Sequence, residues 1–141
     1  MARHDPYGAF NFVVEIDGLT VAGFSECSGL SAETSVIEYR EGSDRGGVRK
    51  MPGLTKYANI VLRHGMTVSR ELWQWHQAVA SGSPSRRSGK ITLLDEARTP
   101  VASFRFVEGW VARYEGPALK ASGNEVAIET IEIAHEGLKL E

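Results

Sequence analysis

The side chains able to do chemistry are few, and their spacing is uninviting. His4, His64, His76 and His135 stand far apart, and none belongs to an HExxH or CxxC arrangement. Zinc sites draw their ligands from such close spacings, so no metal site is expected. Gly23-Phe24-Ser25-Glu26-Cys27 comes near the Gly-x-Ser-x-Gly elbow that exposes a nucleophilic serine, but Cys27 replaces the second glycine. The strand-turn-helix setting of an elbow is also missing. Ser25 and Cys27 are the residues a hydrolase would use, yet no base or oxyanion partner can be named for either. A lone cysteine in a strand run is ordinarily a small buried apolar group. Residues Gly82 to Lys90 (GSPSRRSGK) have the outline of a phosphate loop. Pro84 stands where its first glycine should be, and Ile91 where its magnesium-binding hydroxyl should be, so the segment reads as an exposed basic loop. Carboxylates are plentiful, but no pair is singled out for acid–base work. The expectation is a protein that is not an enzyme, with no catalytic residue and no cofactor.

The elements that would carry these residues are short. Of 141 residues, 15 are glycine, and 42% are hydrophobic. That combination suits a packed core with many turns, hence a mainly β chain forming a single domain over residues 1–141. No run approaches the ~20 apolar residues of a spanning helix. The formal charge of −2 argues against a polyanion binder. Arg45, Arg49, Lys50, Lys56, Arg86 and Arg87 sit in loops without interleaved aromatics, unlike a nucleic-acid surface. One cysteine forms no internal disulfide, and Met1–Gly8 has no apolar core of a signal peptide, which predicts synthesis in the cytoplasm.

Phe10, Phe12, Val14 and Ile16 share one parity and predict a strand. Asp17-Gly18 predicts a hairpin turn into a second strand over residues 19–27. Residues 34–40 alternate again. Residues 41–55 (EGSDRGGVRKMPGLT) predict one long loop, and such loops are often functional. Tyr57–Arg63 reads as a strand. Leu72, Trp75, His76 and Val79 mark the stripe of the one convincing helix, which Trp73 and Ala80 extend. Thr67 or Ser69 would cap it, and it should end near Ala80. Strands follow over 90–95, 101–115 and 124–136, with Phe104, Phe106, Trp110, Ala112 and Tyr114 on one parity of the second.

Several stretches, in order, carry a resemblance. They are Phe10–Gly18 (FNFVVEIDG), Ala22–Leu30 (AGFSECSGL), Tyr39–Gly42, Pro52-Gly53-Leu54 with Lys56, Leu62–Gly65 (LRHG), Leu72–Trp75 (LWQW), Gly116–Leu119 (GPAL), Gly123–Glu129 (GNEVAIE) and His135–Leu138 (HEGL). Together they resemble the inner tail-tube proteins of contractile phages and of extracellular contractile injection systems of the antifeeding-prophage and Photorhabdus virulence-cassette type. The resemblance implies two packed antiparallel sheets, sandwich- or barrel-like, with one flanking helix and one long extended loop. It implies a structural subunit that stacks as hexameric rings into a hollow tube, which sheath contraction drives through a target envelope. The implied partners are further copies of the chain, the sheath, baseplate or hub proteins, and a tape-measure or cargo in the lumen. No nucleic-acid sequence recognition and no stable membrane insertion are implied. The subunit would work in a virion-like particle released by lysis.

On that reading, Glu41, Asp44, Arg45, Arg49 and Lys50 form a mixed-charge loop contacting a neighbouring ring or subunit. Glu125 and Glu129 are candidate acidic residues of the lumen or outer surface. The alternative is a monomeric β-sandwich that holds a small ligand or peptide between Trp73, Trp75, Trp110 and Tyr114.

Overall fold

The computed structural model describes residues 5–21, 23–43, 46–83 and 85–141. In chain order the elements are β1 (Phe12–Ile16), β2 (Phe24–Ser28), β3 (Ala32–Tyr39), β4 (Arg49–Tyr57), β5 (Ile60–Gly65), α1 (Glu71–Ala80), β6 (Arg87–Leu94), β7 (Pro100–Glu115), β8 (Ile128–Ala134) and β9 (Gly137–Leu140). The mainly β class with antiparallel sheets and one helix is as expected. Seven strands form one sheet in the order β1-β6-β7-β8-β5-β2, with β9 also on β7; β3 and β4 form a separate two-stranded sheet. All pairings are antiparallel.

β7 joins the two halves. Its first part pairs β6 up to Gly109 and β9 from Phe104 to Val107, and its second part pairs β8 from Trp110 onward. At the changeover Glu108 takes φ 55, a bend of the kind that turns a strand from one sheet layer into another. The core fills the space between the layers with Ile60, Leu62, Leu72, Trp75, Phe106, Val111, Ile131 and Ile133, all essentially inaccessible.

Three expectations need correction. Asp17-Gly18 does not make a β1–β2 hairpin, because β1 pairs β6 and β2 pairs β5. The turn is real: Gly18 takes φ +78 and the Leu19 N–H donates to the Ile16 carbonyl oxygen. It sends the chain toward the helix, where the Glu71 carboxylate accepts the N–H groups of Thr20 (3.0 Å) and Val21 (2.9 Å) and the Thr20 hydroxyl (2.8 Å). Those bonds replace the strand pairing that residues 19–21 would otherwise need.

The second correction concerns residues 41–55. Residues 49–57 are strand β4, paired with β3 through Tyr39↔Arg49, Ile37↔Met51 and Ala32↔Tyr57. Only residues 40–48 connect the two strands. The hairpin is rooted by Gly29, whose φ of +87 and close approach to the Asn59 carbonyl admit no side chain.

Third, side-chain parity breaks at bulges. The register slips between Phe24 and Glu26 and between Val111 and Arg113, and β7 also slips against β6 between Phe106 and Gly109, where Glu108 takes φ 55; the buried parity therefore passes from Phe106 to Val111, and Ala112 is exposed. The helix ends where expected. Its N-cap is Arg70 with no side-chain cap, rather than Thr67 or Ser69.

Candidate assembly surfaces

The four histidines are not gathered. His4 lies outside the described residues, His76 is on α1 and His135 is at the β8–β9 corner. His64 and Glu129 are cross-strand partners on β5 and β8. They are only 4% and 3% exposed, so Glu129 is not a surface or lumen residue of the folded subunit. It shares the inward face with Ile131 and Ile133. Its carboxylate lies 3.0 Å from His64 Nδ1 through one oxygen and accepts the Tyr114 hydroxyl at 2.6 Å through the other. Burial, and then the bond to that carboxylate, push the Tyr114 hydroxyl up to about 12, which keeps it a donor. The network ties β5, β8 and β7 together at the end of the sheet.

Cys27 is half-buried, and burial pushes its thiol up to about 11. That is the opposite of what a nucleophile needs. It lines an apolar groove of about 320 Å³ with Phe12, Leu30, Ile91, Leu93 and Phe104. The aromatic residues named for a ligand pocket are spread out instead. Trp75 is in the core and donates through Nε1 to the Ser85 carbonyl at 2.7 Å, while Trp73 meets Tyr114 edge-on at 5.1 Å. Trp110 pairs in register with Ala134.

What the fold does leave open is backbone edges and one projecting hairpin. β1 and β2 end the strand order, each with a single strand partner. The Trp110–Glu115 part of β7 pairs β8 alone among the described strands. The four-stranded section β2-β5-β8-β7 is therefore open on both sides. Its outer face carries charges of both signs: Arg63 lies 3.5 Å from Glu26, Arg113 lies 3.2 Å from Glu115, and Glu132 accepts from Asn59 at 3.0 Å. Beside it, Glu26, Arg63, Glu115 and Glu125 line a cleft of about 450 Å³. Glu125 is exposed.

The hairpin is wet almost throughout. Every β3 residue is exposed, and Val36, Ile37, Tyr39, Met51 and Leu54 all show large apolar surface, Leu54 at 78%. Glu38 faces Lys50 across the ladder. Of the charged residues expected to make contacts, Glu41, Arg49 and Lys50 are exposed on or beside this hairpin, and Asp44 and Arg45 lie outside the described residues. Apolar residues held out in water on a regular hairpin, together with open sheet edges, are hazards unless another chain covers them.

These features define a β protein built to be completed by other chains. A family model for the T4-like virus tail tube protein gp19 matches residues 8–139, and the chain belongs to that family. No curated protein matches the sequence. Among solved structures, the chain is similar to one from the PVC sheath-tube complex of an extracellular contractile injection system in its extended state. That match has 25% identity and a TM-score of 0.86, covering 96% of this chain and 91% of the other. A chain of the anti-feeding prophage tube terminating cap matches with 26% identity and a TM-score of 0.90, covering 100% and 94%. Hcp1 from Flavobacterium johnsoniae shares the fold at 16% identity and a TM-score of 0.59, covering 93% and 94%. The protein is a structural subunit of the inner tube of a contractile system.

Proposed function

We propose that this chain, acting as one tail-tube domain over residues 1–141, closes into hexameric rings that stack into the tube. The open β2 edge of one copy pairs with the open Trp110–Glu115 edge of the next. This is a head-to-tail contact that a rotation closes into a ring, leaving no free edge. The mixed-charge outer face of β2-β5-β8-β7 then faces the lumen, where a wet wall suits passing cargo or a tape-measure chain. The projecting hairpin, with Glu41, Arg49 and Lys50 and the adjoining Asp44 and Arg45, reaches a neighbouring subunit. Glu125 lies in the cleft at the rim of that face. Sheath and baseplate proteins are the outer partners, a reading supported for the sheath by the sheath-tube complex that holds a similar chain. The particle assembles in the cytoplasm and acts outside the cell. The subunit performs no catalysis itself, a reading supported by the inert setting of Cys27.

The observations that carry this reading are the apolar residues exposed on the hairpin and the two open edges of one sheet section. Replacing Ile37 by Lys and Met51 by Asp, opposite charges across the ladder, tests it. The pair is exposed and cross-strand, so the variant should keep the thermal stability of the native subunit and lose tube formation in sedimentation. Tubes at wild-type yield from a folded double variant would remove the hairpin from the contact.

A further inference from the structure

Each neighbouring pair in the section β7-β8-β5-β2 is antiparallel, so β2 runs opposite to β7. A rotation about the tube axis keeps that sense. β2 of one copy therefore meets the Trp110–Glu115 edge of the next as one more antiparallel ladder. Direction permits this seam and leaves its register open.

The charges at the two edges discriminate between registers. One row across the outer face runs Glu115, Thr130, Arg63, Glu26, and the next runs Arg113, Glu132, Val61, Ser28. Glu115 and Arg113 stand on the β7 edge, 3.2 Å from each other. Glu26 stands on the β2 edge, 3.5 Å from Arg63. These three edge side chains are all more than half exposed. A seam with no stagger would carry each row straight into the same row of the next copy and set Glu26 against Glu115. Like charges directly opposite destabilise a ladder. Barrel closure requires a stagger in any case, and an even one keeps the outer side chains on the outer face. A stagger of two residues in one sense sets Glu26 against Arg113. In the other sense it meets Pro117, which has no N–H for the ladder.

We propose, resting on the reading that these two edges join, that the seam is staggered by two residues and that Glu26 of one copy faces Arg113 of the next. Glu26 and Arg113 are then the residues that set the register between subunits. Across the seam the signs alternate: Arg63, Glu26, then Arg113 of the next copy. A slip of two residues one way returns Glu26 to Glu115. A slip the other way carries it past the bulge between Val111 and Arg113, where the outward parity of β7 is lost.

The test uses assembled tubes of the full-length chain. Arg113→Lys keeps the charge and supplies an amine. A water-soluble carbodiimide, which joins a carboxylate to an amine only in direct contact, should convert these tubes into a ladder of covalent multimers on a denaturing gel. Mass spectrometry should find residue 26 of one chain joined to residue 113 of another. Arg113→Glu alone should lower the sedimented tube yield at least fivefold, and adding Glu26→Arg should restore it to within twofold of wild type. The double variant still carries the like charges within each subunit, beside Arg63 and beside Glu115, so only the seam can account for a recovery. Tubes with no link between residues 26 and 113, or a folded double variant as poor as the single one, overturn the register. Amide hydrogen exchange separates that failure from failure of the edge reading. Amides of residues 24–28 and 111–115 protected at least tenfold in the unlinked tubes would mean that the edges join in another register. No protection at either edge would overturn the edge pairing as well.

Discussion

Two tryptophans that nearly adjoin on α1 should respond very differently to truncation. Trp75 is 2% exposed, whereas Trp73 is 44% exposed. A buried tryptophan removes roughly 150–250 Å² from water, which at ~25 cal/mol per Å² is about 4–6 kcal/mol of transfer free energy. Core truncations of this size cost about 3–5 kcal/mol once the site partly relaxes. Trp75→Ala also orphans the Ser85 carbonyl, which accepts its indole N–H, adding about 1 kcal/mol. It further removes the ring beneath the Arg87 guanidinium, 5.5 Å from its centroid. The expected total is about 4–6 kcal/mol, a large share of the ~5–15 kcal/mol that holds a domain together. Trp73→Ala loses an edge contact with Tyr114 and a half-buried surface, and leaves a site open to water. About 1–2 kcal/mol is expected there. With a urea dependence of about 2 kcal/mol/M, the midpoints should fall by roughly 2–3 M and 0.5–1 M. Equilibrium urea unfolding followed by far-UV circular dichroism reads both. Equal shifts, or a Trp75→Ala shift below ~0.7 M at that slope, would refute the helix-on-β7 core.

Two further predictions concern titratable groups. Glu71 is held below the usual carboxylate range, foremost by the Thr20 hydroxyl and also by the Thr20 and Val21 N–H groups. A carboxyl depressed by folding adds stability above its unfolded value and loses it as pH falls through the folded one. Glu71→Gln should therefore be less stable than wild type near pH 7, with the gap narrowing toward pH 3 in urea unfolding. A gap independent of pH would show that the carboxylate charge is irrelevant. Cys27, its thiol pushed up to about 11 by burial, should react with iodoacetamide at least tenfold more slowly in the native subunit than in urea at pH 8. Equal rates would contradict its packed setting.

Much of this fold is visible in the sequence wherever one face is buried and the other wet. β1, β5 and α1 show clean periodicity because Val14 and Ile16, Ile60 and Leu62, and Leu72 and Trp75 all face one core. β4 is hidden for another reason. β3 is equally exposed yet alternates in sequence, whereas the β4 run RKMPGLTKY is broken by Pro52 and Gly53 and so reads as loop. The bend at Glu108 moves the buried parity of β7 from Phe106 to Val111, so Trp110 and Ala112, which share the parity of Phe106 in the sequence, do not share its face. The strand read over residues 124–136 is β8 (Ile128–Ala134) alone, and the short β9 (Gly137–Leu140) beyond the corner at His135 carries no sequence signal of its own. The network of His64, Tyr114 and Glu129 joins residues distant in the chain, but a signal was present. His64 keeps the parity of Ile60 and Leu62, and Glu129 that of Ile131 and Ile133. A polar residue on a buried parity calls for a partner.

The central claim is that open edges and a wet apolar hairpin are completed by further copies of the same chain. Cryo-electron microscopy of the purified protein, concentrated with and without preformed tube fragments as seeds, tests it most directly. The account predicts hollow tubes of stacked sixfold rings, with β2 of each copy against the Trp110–Glu115 edge of the next and the hairpin apolar residues buried on a neighbour. A protein that stays monomeric even when seeded, or tubes whose subunits leave those edges and the hairpin in solvent, would contradict it.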